Sequence, residues 1–299
     1  MLLKNLIKHS SKKYKNLNIK GLAINSKEVK KGFIFFAIKG NRVNGEKYIR
    51  EAINRGAIII ICSNSCKFIS NSIVVIKTKK IRNFLSEITS RFYKLKPKNI
   101  IAVTGTNGKT STADFFYQIL NINNIRAASI GTLGIKYNNK IIKNNLTSPD
   151  IITLHKSLEK LKKNNIDNVI IEASSHGLDQ NRLDHLNIKA GIFTNFTQDH
   201  LDYHKTMKAY LNAKLTLFSK LLPKNSYVIS DKSNKHFSIL NKISKKRKLK
   251  LLSIEKKINQ IKHDSNLFPG YFQKKNLTMA ILAAQLCGLK DNKIKSSLK

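Results

Sequence analysis

The stretch that most narrows what this chain can fold into runs from Asn99 to Leu120. An apolar run, Asn99 to Val103, leads into Thr104-Gly105-Thr106-Asn107-Gly108-Lys109-Thr110-Ser111-Thr112, and a helical pattern follows through Leu120. Glycines let backbone amides turn toward an anion, Lys109 has the reach for β and γ phosphates, and the Thr110 hydroxyl suits magnesium. The preceding strand and following helix N-terminus supply the dipole and free N–H groups that phosphates need. One position departs from the general phosphate loop: Val103 stands where the first glycine is usual, so this is a variant loop. An ordinary glycine-containing strand-to-helix turn is the alternative reading.

Around this loop the sequence alternates short β-branched runs with longer amphipathic ones, the pattern of α/β domains with parallel sheets. Phe33 to Ile38, Ala57 to Cys62 and Ile73 to Ile76 read as strands, and Lys47 to Gly56 and Lys80 to Tyr93 as helices. Proline disfavours helix in the residue before it, so the basic segment Leu95-Lys96-Pro97-Lys98 marks a boundary. The chain of 299 residues then divides into domains at 1–97 and 98–299. The expected fold is a small N-terminal α/β domain followed by a P-loop-type, mostly parallel α/β ATPase domain. Val169 to Ile171 and Gly191 to Thr194 read as further strands of the second domain, and Met207 to Leu222 as a helix.

Composition closes off other classes. With 41% hydrophobic and 24% charged residues the chain is globular rather than disordered. No apolar run approaches the ~20 residues of a membrane-spanning helix. Lys4 and Lys8 interrupt the N-terminus, which leaves no continuous secretory core and makes the cytoplasm the default. Cys62, Cys66 and Cys287 lack Cys-x-x-Cys spacing and read as free thiols. The net charge of +39 invites a nucleic acid, an anionic lipid or a phosphorylated small molecule as partner. Between Ile170 and Leu215, however, Arg182, Lys189, Lys205, Lys208 and Lys214 balance Glu172, Asp179, Asp184, Asp199 and Asp202. The excess lies elsewhere, notably in Lys232 to Lys262, which reads as a solvated face or loop.

The balanced segment carries the other chemical candidates. Glu172 ends an apolar strand, where nucleotide sites form in open α/β sheets, and a carboxylate there suits magnesium. Ser174-Ser175-His176 and Asp199-His200-Leu201-Asp202-Tyr203-His204 concentrate polar side chains behind two strands. No Gly-x-Ser-x-Gly elbow supports a serine nucleophile, and no His-Glu-x-x-His supports zinc at His200 and His204. Lys214 falls among Met207, Tyr210, Leu211, Phe218 and Leu221 on one helix face. A lysine there must snorkel, be paired or be chemically altered.

Taken together, these segments resemble the Mur ligases of peptidoglycan synthesis, from about Gly21 to Leu289, and most closely the branch that extends UDP-N-acetylmuramoyl-L-alanyl-D-glutamate. Thr104 to Thr110, Glu172 to Arg182, Phe193 to His204 and Ala213-Lys214 match its motifs in order. A related folate polyglutamylating branch shares the phosphate loop, but the second and third segments look like the muropeptide branch. The resemblance implies an ATP- and Mg2+-dependent amide ligase that adds the third amino acid, meso-diaminopimelate or L-lysine. It implies ATP contacts from Gly105, Thr106, Asn107, Gly108, Lys109, Thr110 and Ser111, with Asn276 at the adenine. It further implies Thr110, Glu172 and His200 as magnesium ligands and Lys214 as a carbamylated lysine holding a second metal. Lys109, Glu172, His200 and Lys214 form the implied catalytic set. Thr147, Ser148, Ser174, Gln180 and Arg182 are implied to hold the UDP-muropeptide, and Ser26 its uridine. Tyr271 and Gln273 replace the family's usual arginine and asparagine, and Asn25 and Lys27 an aspartate and arginine.

Family members continue into a third, amino-acid-binding domain that this sequence is expected to lack. Besides the ligase, two readings therefore stay open: a nucleotide-binding remnant without ligation, and, disfavoured, a basic nucleic-acid-binding ATPase.

Overall fold

The structure, a computed structural model, describes residues 1–7, 14–40, 43–143, 146–260 and 270–296. Residues 261–269, which include the end of the basic stretch and the Phe268-Pro269 pair, lie outside the described residues. The chain divides into two compact units, Met1–Lys94 and Leu95–Lys299.

The first unit is built on a parallel sheet of β1 (Gly21–Ala23), β2 (Phe33–Phe36), β3 (Ala57–Ser63) and β4 (Val74–Thr78), in that spatial order. Ile59, Ile60, Ile61 and Cys62 of β3 are all fully buried, as expected of a parallel strand covered on both faces. The helix Ile81–Phe92 buries Leu85 and Ile88. The helix read over Lys47 to Gly56 is shorter than expected. Asn44 caps a 3₁₀ turn at Gly45–Tyr48 by accepting from the Glu46 N–H at 3.1 Å, and only Ile49–Asn54 is α-helical.

The second unit holds an eight-stranded sheet: β5 (Asn99–Thr104), β6 (Ala127–Gly131), β7 (Gly134–Tyr137), β8 (Lys140–Ile142), β9 (Asn168–Glu172), β10 (Ile188–Phe193), β11 (Tyr227–Ser230) and β12 (Lys250–Ser253). Their spatial order is β12-β11-β10-β5-β9-β6-β7-β8. All neighbours pair parallel except the β6-β7-β8 meander. Alternation along the strands divides two cores: Ile100 and Ala102 face one, Ile101 and Val103 the other. On the first face lies the helix Ile151–Lys163, capped by Asp150, which accepts from the Ile152 and Thr153 amides. Its Leu154, Leu158 and Leu161, spaced i, i+4, i+7, are buried; each contributes roughly 1.5–3 kcal/mol. On the second face the helices Lys109–Ile122 and Tyr271–Leu286 pack together through Phe116, Leu120, Met279 and Ala280.

One further helix differs from the sequence reading. The helix over Met207 to Leu222 is α-helical only to Thr216 and continues as a π turn, Leu217–Leu221. The wider turn lets the consecutive Leu217 and Phe218 both bury completely. Of the two readings of the basic stretch, its described residues bear out the solvated face: the helix Phe237–Arg247 is anchored by the buried Leu240 and leaves Lys242, Lys245 and Lys246 exposed, and β12 follows it. The cysteines are free. Among the described residues no helix is long and apolar enough to cross a membrane.

Candidate functional site

Four strands of the second unit deliver the site from their C-terminal ends: β5 leads into the Gly105–Ser111 loop, β6 into Thr132, β9 ends on Glu172, and β10 leads into Thr194 and Asn195. This is where open α/β sheets bind ligands. Thr106 to Ser111, Thr132, Thr147, Glu172, Ser174, His200 and Lys214 all line one cleft there.

The loop is held in shape from the side. The Asn107 amide donates to Asn195 Oδ1 at 2.9 Å, the Thr106 amide to the Asn195 carbonyl at 3.0 Å, and Thr194 Oγ1 to the Asn107 carbonyl at 2.6 Å. Gly108 has φ +82°, and a Cβ there would lie 2.5 Å from Asn276 Oδ1; both conformation and space demand glycine. The helix Lys109–Ile122 starts at this point, so its first-turn amides, which have no intrahelical acceptor, face the cleft. Lys109 Nζ curls back onto the carbonyls of Gly105 at 3.0 Å and Thr106 at 2.8 Å. Burial lowers its pKa, opposed by Glu172 and Asp199.

Glu172, 2% exposed, accepts from Thr110 Oγ1 at 2.9 Å, the Thr132 amide at 2.9 Å and Thr132 Oγ1 at 3.2 Å. Thr110 and Glu172 thus bring two hard oxygen donors together, a set that fits magnesium, which keeps most of its ligands as water and phosphate. His200 lines the same cleft from a left-handed position, φ +52°, with its ring 5.0 Å from that of His176. Among the described residues no group of three or more His, Cys, Asp or Glu is arranged to hold a metal.

Lys214 does not snorkel. It is 1% exposed, donates from Nζ to the Gly105 carbonyl at 2.6 Å, and lies 4.4 Å from the Tyr210 ring centre. Burial first, and then the neighbouring Lys109 charge, push its amine down to about 7 against the pull of Asp199. Both lysines point at the same carbonyl, which accounts for their mutual repulsion.

Behind Thr147 and Ser174 stands a polar network. The Ser148 hydroxyl donates to the Glu172 carbonyl at 2.7 Å and accepts from the Ser174 amide at 2.9 Å. Arg182 donates to the Ser148 carbonyl at 2.6 Å and to Gln180 Oε1 at 2.8 Å; Gln180 donates to the Tyr203 hydroxyl at 3.2 Å, which donates to Asp179 at 2.7 Å. Ser148 is 1% exposed and bonds inward, so it shapes the wall rather than forming its surface. Asn276 lines an adjoining cleft with Asn195, Phe196, Asp231, Phe272 and Lys275. Ser26 lies in the first unit, where its hydroxyl donates to Glu51 Oε2 at 2.9 Å. The sequence assigns no site role to Thr132, Thr194, Asn195, Tyr203 or Tyr210. Thr194, Asn195 and Tyr203 lie inside the Phe193 to His204 segment and Tyr210 on the Lys214 helix face; Thr132 follows a strand, β6, whose Ala-Ala-Ser-Ile-Gly composition carries little strand signal.

Comparison with known proteins bears on this arrangement. The Mur ligase middle domain matches residues 103–284, more than half of the chain, and the Mur ligase family catalytic domain matches residues 18–93. A UDP-N-acetylmuramoyl-L-alanyl-D-glutamate–2,6-diaminopimelate ligase of Rickettsia montanensis is 34% identical over 94% of this chain and 63% of its own length. One from Zymomonas mobilis is 40% identical over 84% of this chain and 51% of its own. The chain therefore spans less than two thirds of these curated relatives. A solved structure of a ligase with the same name superposes with a TM-score of 0.84 at 23% identity, covering all of this chain and 66% of that one, which speaks to fold. With both domain matches in chain order and the phosphate loop, Glu172 and Lys214 gathered at one sheet edge, the chain belongs to the Mur ligase family.

Proposed function

We propose that this chain carries the ATP- and UDP-muropeptide-binding machinery of an amide ligase that joins 2,6-diaminopimelate to UDP-N-acetylmuramoyl-L-alanyl-D-glutamate. The observation that carries this reading is the convergence in one cleft of a phosphate loop, a buried carboxylate beside Thr110, and Lys214, with Thr147 and Ser174 on the facing wall. The printed names of the curated relatives supply the substrate class.

In this reading ATP lies along the Gly105–Ser111 loop, with its base toward Asn276 and the adjoining cleft. The loop amides and Lys109, which can exchange the Gly105 and Thr106 carbonyls for phosphate oxygens, grip the β and γ phosphates. Thr110, Glu172 and His200 would hold magnesium, which when bound neutralises charge between two reacting anions. Lys214 is poised for carbamylation because its amine is substantially neutral near pH 7. Thr147 and Ser174, backed by Ser148, Gln180 and Arg182, present the D-glutamate end of the muropeptide; Ser26, within the first unit, is the proposed uridine contact. An oxygen of that carboxylate attacks the γ phosphorus and ADP departs. The amine of the incoming amino acid then attacks the acyl carbon, loses a proton to solvent and expels phosphate. The enzyme's share is positioning and charge compensation, as in phosphoryl transfer generally.

Titration calorimetry tests the binding half of this reading. Saturable binding of both magnesium-ATP and the UDP-muropeptide is expected. Binding of ATP without any of the UDP-muropeptide would instead favour a nucleotide-binding remnant.

A further inference from the structure

Glu172 owes most of its placement to a residue with no assigned role. We propose that Thr132, at the exit of β6, is a positioning residue: it fixes the Glu172 carboxylate against the Thr110 hydroxyl and links that carboxylate to Thr147 on the muropeptide wall. The proposal rests on the nucleotide-and-magnesium reading above and deepens it.

A buried carboxylate is tolerable only when its oxygens are supplied with donors. Of the three donors reaching Glu172, two come from Thr132: its amide to Oε1 and its hydroxyl to Oε2. Thr110 gives the third. The carboxylate is thereby clamped at both oxygens, and the clamp selects the rotamer in which Oε2 meets the phosphate-loop hydroxyl. The preceding residue makes room for it. A Cβ at Gly131 would lie 2.0 Å from Oε1 and 2.4 Å from the carboxyl carbon, so any side chain there displaces the group.

The Thr132 hydroxyl has a second acceptor within reach, Thr147 Oγ1, also at 3.2 Å. It has one proton to give. When Glu172 turns its charge to a cation, the Thr132 O–H is free to rotate and donate to Thr147 Oγ1 instead, which fixes the direction of the Thr147 hydroxyl at the muropeptide wall. Occupancy of one half of the cleft is thereby transmitted to the other through a single side chain, and such coupling is reciprocal.

The test uses the full chain and titrates a non-hydrolysable ATP analogue with magnesium and again with EDTA. The ratio of the two affinities reads the cation's contribution without requiring turnover. Thr132→Val keeps the branched shape and the amide but deletes the hydroxyl donor; it is expected to reduce that ratio by about tenfold, the worth of a hydrogen bond to a charged group. Affinity in EDTA should stay at the wild-type value, and Thr132→Ser should restore the ratio to within about twofold. Thr132→Ala, which also deletes the hydroxyl, should match Thr132→Val and supplies the answer if that variant fails to fold. Glu172→Gln separates this idea from its foundation. A wild-type ratio in Thr132→Val or Thr132→Ala alongside a lost ratio in Glu172→Gln overturns the role of Thr132 alone. No cation dependence in the wild-type chain overturns the magnesium reading and the inference with it.

Discussion

Lys214 offers the sharpest chemical prediction. Only a neutral amine attacks carbon dioxide, forming an N–C bond and releasing a proton, so selectivity among lysines follows the neutral fraction. At pH 7 a lysine with the ordinary pKa is neutral in roughly three molecules of ten thousand. Lys214, with its pKa pushed down to about 7, is neutral in about half, an advantage on the order of a thousandfold. The direction follows from burial: desolvation disfavours the ammonium form, so the neutral form dominates above pH 7 and gives way below it. The chain incubated with ¹³C-bicarbonate should therefore show, apart from any N-terminal carbamate, one dominant lysine carbamate resonance at pH 7.5, about tenfold weaker in neutral-amine supply at pH 6 than its plateau value, and absent in Lys214→Met. Label spread evenly over surface lysines, or a lysine carbamate resonance that survives Lys214→Met, would refute the argument from burial.

Other perturbations follow from the same geometry. Tyr203→Phe removes a hydroxyl that both accepts from Gln180 and donates to Asp179; UDP-muropeptide affinity should fall about fivefold to tenfold while ATP affinity is unchanged, as calorimetry can show. Asn195→Ala frees the Asn107 amide and should weaken ATP binding by about tenfold through a looser loop, with no change in UDP-muropeptide binding. His155 is fully buried, with its pKa pushed down to about 3 chiefly by burial. The unfolded chain takes up a proton near the ordinary histidine value and the folded chain does not, so stability is intact above about pH 6.5 and declines below it by about 1.4 kcal/mol per pH unit toward pH 3. Urea unfolding of the wild type and His155→Gln at pH 7, 6 and 5 measures this, and the variant should show a shallower slope.

What was legible in the sequence was what is local in it. The phosphate loop announces itself because strand, glycines, lysine and hydroxyls fall within about a dozen consecutive residues, and Thr106 to Ser111 among them line the cleft. Lys214 was conspicuous because its helix face is apolar, and burial proved complete rather than partial. The supports of the site were not legible, since they join residues far apart in the chain: Asn195 to Asn107 across 88 positions, Thr132 to Glu172 across 40. β6 was missed because alanine, serine and glycine give no β-branched run, and β7 and β8, Gly-Ile-Lys-Tyr and Lys-Ile-Ile, because each is too short to show a pattern. The π turn at Leu217–Leu221 is invisible to helical periodicity because it breaks that periodicity to bury two adjacent side chains. Charge was a fair guide: the lysines of the helix Phe237–Arg247 read as a solvated face or loop and form a solvated face, while its anchor Leu240 is one apolar residue among many polar neighbours.

The proposed reaction in this cleft is transfer of the γ-phosphoryl group of ATP to the D-glutamate carboxylate of the UDP-muropeptide. Hydroxylamine tests it without requiring the natural amino acid, because its nitrogen attacks an acyl phosphate, expels phosphate and leaves a stable hydroxamate. Incubated with magnesium-ATP and UDP-N-acetylmuramoyl-L-alanyl-D-glutamate, the chain should yield hydroxamate and ADP in equal amounts, and Lys109→Ala should yield neither. Tight binding of both substrates with no hydroxamate above the level seen without protein would contradict it.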